Sequence, residues 1–124
     1  KKKIKINVTL GFNPAQIVAF ANLDVDYFSL ILGKTEDWGF SNINSIKSCK
    51  NIIKNMKSDT KLLVASIRNE DHLEKAIING ADVITVPPTT WDLIYKNKYS
   101  DMGLKSFFDS WVKVKEIYKK NYEK

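Results

Sequence analysis

The sequence predicts an α/β fold: four strand–helix units with parallel strands, equal to half of a (β/α)8 (TIM) barrel, plus a C-terminal helix. Short apolar runs alternate four times with amphipathic segments, and successive parallel strands need such crossover helices. No glycine-rich dinucleotide fingerprint or P-loop is present, which disfavours nucleotide-binding folds. An open four-stranded sheet is the alternative. At 124 residues, the chain has room for a single domain, 1–124, with one modest core.

The first unit combines an alternating strand with a strong helix start. Residues 5–10 form the strand, in which Asn7 and Thr9 share the face opposite the apolar side chains. Asn13 suits the N-cap, Pro14 the first helical position, and Gln16 completes a capping box. The helix is expected to end near residue 22.

The second unit places a buried strand before a polar loop. Residues 27–32 are too continuously apolar for a half-exposed strand, so both faces are expected to be buried. A polar loop covers residues 35–41, and loops of this kind often carry function. An amphipathic helix over 42–56 turns Ile46, Cys49, Ile53 and Met56 inward, so Cys49 is interpreted as a core residue rather than a nucleophile.

The third strand, residues 61–68, ends in polar side chains. Strict alternation places Leu62, Val64, Ser66 and Arg68 on one face, which turns polar at its carboxyl end. Parallel sheets bind ligands at that end. Arg68 is the only arginine among 20 basic residues, and a planar fork suits bidentate phosphate binding better than a lysine does. A surface arginine at a helix entrance remains an equal alternative.

The chain after Arg68 predicts three more helices and one strand. Asn69 caps a helix whose buried side includes Leu73, Ala76 and Ile77, while His72 is expected to be solvated. Gly80 ends that helix in a left-handed cap, and residues 83–86 form the fourth strand. A short helix covers 89–95. The last helix begins at 100 or 101, and its aromatic stripe suits either core packing or a neighbouring subunit: Phe107, Phe108, Trp111, Val114 and Tyr118.

Composition excludes several classes of partner and site. The net charge is +6, but the helical stripe of Lys47, Lys50, Lys54 and Lys57 has no interleaved aromatic residues, so a solvated face is favoured over nucleic-acid binding. No apolar run approaches a membrane span and no signal-peptide pattern opens the chain. The single cysteine fits a reducing, cytoplasmic location. The single histidine rules out a His-rich metal site, and we expect no metal and no cofactor.

Four ordered motifs resemble the transaldolase and fructose-6-phosphate aldolase family. They are INVTL at 6–10, YFS through GK at 27–34, ASIR at 65–68 and ITVP at 84–87. The similarity runs in order over residues 3–111 and matches only the carboxyl-terminal half of that family, strands five to eight of its barrel. It implies class I aldol chemistry, in which a lysine forms a Schiff base with a ketose phosphate and a dihydroxyacetone unit is cleaved off or transferred.

The resemblance also assigns site residues. It implies that Thr9 is catalytic, relaying protons through a water, and that Asn7 and Ser29 bind the substrate. It implies phosphate binding by Ser66 and Arg68, and by Lys34, which stands where the family carries an arginine. Ile31 departs too, because the family has an aromatic residue there. These two departures leave phosphate affinity and the choice between aldolase and transferase chemistry open.

The family's Schiff-base lysine lies on its fourth strand, which has no match in this sequence. We therefore expect the chain alone to be inactive, with a missing segment or a partner chain completing the barrel. The chain begins with three lysines and no methionine, so processing, tag removal or excision from a longer chain all remain open. The alternative is a non-catalytic sugar-phosphate-binding module that closes a barrel by pairing two copies.

Overall fold

The structure is a computed structural model that describes residues 4–122, so the three lysines at the start lie outside the described residues. The chain forms two compact units, Lys1–Asp92 and Leu93–Lys124. The single domain expected from the sequence stays a prediction. Within the described residues, no helix is both long enough and apolar enough to cross a membrane.

The first of these two compact units contains a four-stranded parallel sheet. Its strands are β1 Asn7–Gly11, β2 Tyr27–Ile31, β3 Lys61–Ala65 and β4 Val83–Ile84, which lie side by side in sequence order. Helical segments follow each strand. The α/β fold with four parallel strand–helix units is thereby confirmed, and it is consistent with half of a (β/α)8 barrel.

The helices follow the predicted order with shifted ends. A 3-10 turn, Pro14–Gln16, leads into α1 Ile17–Asn22. The next helices along the chain are α2 Gly33–Glu36, α3 Asn44–Asn55, α4 Glu70–Ile78 and α5 Pro88–Tyr95. The second unit contains α6 Lys98–Tyr122, which begins two or three residues before the predicted start at 100 or 101.

The core lies between the helices and one face of the sheet. Phe28 and Leu30 of β2 alternate with Ser29, and Leu62 and Val64 of β3 follow the same pattern, so these four apolar side chains share one face and are at most 1% exposed. They form one cluster with helix residues Ile17, Ala21, Ile46, Cys49, Ile53 and Ala76. Cys49 is fully buried, which confirms its core role, and burial raises the pKa of its thiol to about 11.

Local capping signals are confirmed. The Asn13 side chain accepts from the Gln16 N–H, and the Gln16 side chain accepts from the Asn13 N–H, as in a capping box. The Asn69 side chain accepts from the His72 N–H at 2.8 Å and caps α4. Gly80 follows α4 with a φ of +90°, a conformation that favours glycine.

The observed strand ends differ from the predicted ones, most of all in β3. β3 ends at Ala65, because Ser66 adopts a left-handed φ of +64° that interrupts the extended backbone. Ser66 and Arg68 therefore do not continue the face of Leu62 and Val64, which instead belongs to the core. In β1, Leu10 is also left-handed at +63°, and the register with β2 shifts between Val8 and Gly11.

Four predictions about the helical segments also need correction. The expected loop after β2 contains the helical turn α2. His72 is buried rather than solvated, at 2% exposure, and lies one turn from buried Ala76. Because His72 and Ala76 define the inner side of α4, Ile77 is rotated outward and is 61% exposed. Met56 follows the end of α3 and is also exposed.

The two side-chain stripes noted in the sequence, the aromatic stripe of the last helix and the lysine stripe, are both exposed. Within α6, the aromatic and apolar stripe consists of exposed side chains, among them Phe107 and Trp111. Along α3, Lys47 and Lys54 are exposed, while Lys50 contacts Asp82 at 2.5 Å. The lysine stripe is therefore a solvated helix face that is partly neutralised by one ion pair.

Candidate functional site

Asn7 and Ser29 meet on the face of the sheet opposite the core. Ser29 Oγ donates to Asn7 Oδ1 at 2.8 Å, which joins β1 to β2 through side chains. Alternation places Ser29 opposite to its neighbours Phe28 and Leu30, which face the helices. Ser29 is 2% exposed, whereas Asn7 is exposed. The pair leaves the Asn7 amide group available to a ligand on that face.

Thr9 follows Asn7 on β1, at the point where the β1–β2 register shifts. Its side chain is exposed, and no hydrogen bond joins it to another residue within 4–122. Thr9 is thus close to Asn7 along the strand but is not held by the Asn7–Ser29 pair. A hydroxyl in this state can both donate and accept.

The segments after β2 and β3 run together beyond the ends of the strands. The Leu32 N–H donates to the Ala65 carbonyl and the Gly33 N–H to the Ser66 carbonyl, both at 2.9 Å. A Cβ on residue 33 would collide with the Ser66 carbonyl oxygen and with Cγ of Arg68. Glycine is required here because the Ser66 carbonyl oxygen and the Arg68 stem both lie directly against this backbone.

Arg68 is held by Asp37 at this crossing. Nη1 donates to Asp37 Oδ1 at 3.1 Å and Nη2 donates to Oδ2 at 2.7 Å, so the pair is bidentate. Both side chains are about half exposed, at 48% and 50%. The hydrogen bond and the charge of Asp37 raise the pKa of Arg68 further above its ordinary value, so the guanidinium stays charged.

Lys34 directly follows Gly33, within α2. Its side chain is exposed and forms no ion pair with a described residue. Lys34 therefore adjoins the Gly33 crossing along the chain, while Ser66 lies across it. The structure thus brings Lys34, Ser66 and Arg68 to one crossing and Asn7 and Ser29 to one contact, with Thr9 unattached.

A model of the Transaldolase/Fructose-6-phosphate aldolase family matches residues 1–123. The chain belongs to the transaldolase/fructose-6-phosphate aldolase family. Its relatives include a probable transaldolase of Caulobacter vibrioides (strain NA1000 / CB15N), 38% identical over 110 residues, or 89% of this chain and 51% of the relative. A probable transaldolase of Thermoplasma volcanium is 38% identical over 114 residues, which cover 92% of this chain and 51% of the relative. A probable transaldolase of Petrotoga mobilis is 33% identical over 119 residues, which cover 96% of this chain and 54% of the relative.

The chain spans about half the length of the curated relatives it matches. This agrees with a sheet of four strand–helix units, half the number in a (β/α)8 barrel. Ile31, where the resemblance implies an aromatic residue in the family, is 9% exposed on the face of β2 that carries Ser29. An apolar side chain there offers no hydrogen-bonding group to that face.

Sequence reasoning missed the residues that fix the segment after β2. The buried Thr35 hydroxyl donates to the Leu32 carbonyl at 2.7 Å, and Asn42 Nδ2 donates to the Ile31 carbonyl at 2.8 Å. The same segment is also joined to the chain that follows β3, because Asp37 pairs with Arg68 and Glu36 pairs with His72. All four lie inside or beside a predicted polar loop, and no local sequence signal identifies the distant partners of Asn42, Asp37 and Glu36.

Proposed function

We propose that this chain provides the phosphate-binding half of a transaldolase-type enzyme that acts on sugar phosphates. The reaction is a class I cleavage or transfer of a dihydroxyacetone unit. The observation that carries the proposal is the crossing at Gly33, where the Arg68 stem lies against the backbone with Ser66 and Lys34 beside it. This crossing follows the carboxyl ends of β2 and β3, the side at which barrels of this type bind ligands.

In the proposed site, Arg68, Ser66 and Lys34 bind the phosphate. Arg68 supplies a planar fork, Ser66 a short hydroxyl donor and Lys34 a mobile point charge. Family membership and the matching positions support these roles. Three of the five N–H groups of Arg68 have no acceptor within residues 4–122, because Asp37 takes only two.

The uncharged part of the substrate is proposed to lie along β1 and β2. Asn7 and Ser29, already joined at 2.8 Å, bind the carbonyl-bearing unit, and Thr9 relays protons through a water. The reacting amine is proposed to come from outside this chain, from a further segment or a partner chain that completes the barrel. We also propose a cytoplasmic location, from the reducing environment that a lone buried thiol suits.

Calorimetric titration with fructose 6-phosphate tests the phosphate site. We expect Arg68→Ala to weaken binding by roughly tenfold or more, since a hydrogen bond to a charged group contributes about 1.5–3 kcal/mol. Arg68→Lys keeps the charge but loses the fork, so its effect should be intermediate. Lys47→Ala removes the same charge from an exposed site on α3 and is the matched control. Equal affinities for Arg68→Ala and Lys47→Ala contradict the proposal.

A second candidate function is a non-catalytic module that binds a sugar phosphate and pairs with another copy. It is favoured by the sheet order, in which β1 and β4 each pair with one strand only within the described residues. Two such sheets can close one barrel. Sedimentation analysis at several concentrations decides this point: a stable monomer that unfolds cooperatively excludes the paired module and leaves the first candidate.

A further inference from the structure

The segment carrying Asp37 is tied to the chain after β3 at several points. The Gly33 N–H binds the Ser66 carbonyl at 2.9 Å, Glu36 accepts from the buried His72 ring at 2.8 Å, and Asp37 binds Arg68 through two oxygens. Asp37 follows α2 directly, so its backbone is fixed by the same contacts. The carboxylate is therefore presented to Arg68 from a backbone that these contacts hold in place.

The pair uses a particular edge of the guanidinium. Asp37 binds Nη1 and Nη2, which leaves the edge formed by Nε–H and the outer hydrogen of Nη2. That edge is a second pair of parallel donors, and no acceptor within residues 4–122 occupies Nε. Nε lies 3.2 Å from the position that a Cβ of residue 33 would take, so the open edge is located at the Gly33 crossing.

We propose that Asp37 is a positioning residue, which holds Arg68 by its Nη atoms so that the Nε–Nη2 edge meets the phosphate of a sugar phosphate. This rests on the proposed function, in which Arg68 binds that phosphate. The opposite possibility is that Asp37 blocks Arg68 and is displaced by the ligand. The geometry favours positioning, because one edge stays open while the stem and the other edge are both fixed.

The first test needs no ligand. Arg68 is the only arginine, so nitrogen-15 NMR of the full chain contains a single arginine Nε–H signal with its attached Nη groups. In the unchanged protein we expect slow rotation of the guanidinium and separate Nη signals. Asp37→Asn should average those signals, whereas Asp71→Asn, which breaks the exposed Asp71–Lys75 pair and removes the same charge, should preserve them. Unchanged Arg68 signals in Asp37→Asn overturn the inference.

The second test is titration with inorganic phosphate and with fructose 6-phosphate, followed at the Arg68 Nε–H. Compared with Asp71→Asn, we expect Asp37→Asn to bind about three- to tenfold more weakly, since the side chain must then be ordered on binding. Asp37→Glu retains the charge but displaces the carboxylate, and should also bind more weakly than the unchanged protein. It keeps the test valid if Asp37→Asn does not fold.

The outcomes separate the two proposals. If neither ligand moves the Arg68 signal of the unchanged protein, the proposed function and this inference both fail. If the unchanged protein and Asp71→Asn respond while Asp37→Asn binds as tightly as Asp71→Asn, only the inference fails. Tighter binding by Asp37→Asn identifies Asp37 as a blocking group and also overturns the positioning role.

Discussion

At the scale of single residues, the left-handed backbone of Ser66 determines where β3 ends. Its φ of +64° is unfavourable for a side chain by about 1–2 kcal/mol, and glycine removes that penalty. Glycine also costs about 0.5–1 kcal/mol in chain entropy. Ser66→Gly should therefore leave the free energy of unfolding unchanged or raise it by up to about 1.5 kcal/mol, measured by urea denaturation.

Two comparison variants make the Ser66 prediction specific. Ser66→Val places a β-branched residue at a positive φ and should lower stability by about 1–2 kcal/mol. Ser48→Gly changes the same residue type inside α3, where glycine should cost about 0.5 kcal/mol. If Ser66→Gly is destabilised as much as Ser48→Gly, the backbone of residue 66 is not left-handed in solution.

Lys34 offers a second test at this scale. Lys34→Arg introduces a planar fork next to Gly33, and arginine is the residue type that the resemblance implies for the family at this position. We expect fructose 6-phosphate to bind about three- to tenfold more tightly, because bidentate contacts to phosphate exceed those of a point charge. Lys47→Arg is the control, since that lysine lies on the exposed face of α3. An equal effect at both positions indicates a non-specific charge effect.

At the scale of elements, Asp82 connects the start of β3 to α3. Its carboxylate accepts from the Leu62 N–H at 2.8 Å and from Lys50 at 2.5 Å. Burial raises the pKa of Asp82, but the hydrogen bonds from Lys50 and Leu62 and the nearby positive charges outweigh it, so the pKa lies below its ordinary value. This contribution to stability is therefore present above about pH 4 and is lost as the pH falls through the folded-state pKa.

Asp82→Asn tests that pH dependence. At pH 7 we expect it to lower the free energy of unfolding by about 1 kcal/mol, and the difference from the unchanged protein should shrink as the pH falls below about 4. Asp71→Asn breaks an exposed pair within α4 and should cost at most about 0.5 kcal/mol. Denaturant curves for Asp82→Asn and the unchanged protein that stay equally separated down to pH 3 contradict the assignment.

What could be predicted from the sequence at this scale depended on short-range chemistry. The Asn13 capping box and the left-handed Gly80 are set by residues within a few positions, and both are confirmed. The burial of His72 could not be predicted, because its partner Glu36 lies 36 residues away on another element. The early end of β3 depends on the left-handed backbone of Ser66, which its residue type does not specify.

In the candidate site, too, some features could be predicted from the sequence and others could not. The residue types at positions 7, 29 and 68 carried the family resemblance, so their proposed roles could be named from the sequence. Their contacts could not, since the Asn7–Ser29 bond depends on the pairing of β1 with β2. The contact of Asp37 with Arg68 could not be predicted, because the two residues lie 31 positions apart and Asp37 falls in a segment predicted to be a polar loop.

At the scale of the whole molecule, the proposed chemistry is divided between two halves of a barrel. This chain is proposed to bind the phosphate, and a further segment or a partner chain is proposed to supply the reacting amine. The described sheet has four strands, and the chain spans about half the length of its relatives. A parallel sheet of this size has unpaired backbone groups along both outer strands. Adding the matching amino-terminal half of a family member should cover those edges and bring the proposed amine to the phosphate-binding residues.

Borohydride trapping tests that division. The 124-residue chain, incubated with fructose 6-phosphate and borohydride, should give no covalent adduct, because we propose that the reacting amine comes from outside this chain. A fusion of this chain to the amino-terminal half of the Caulobacter vibrioides relative should form an adduct, located by mass spectrometry in the added half. The same fusion with Arg68→Ala should form it much more slowly at low substrate concentration. An adduct on a lysine of this chain, with Lys34 the first to be checked, contradicts the proposed division of roles.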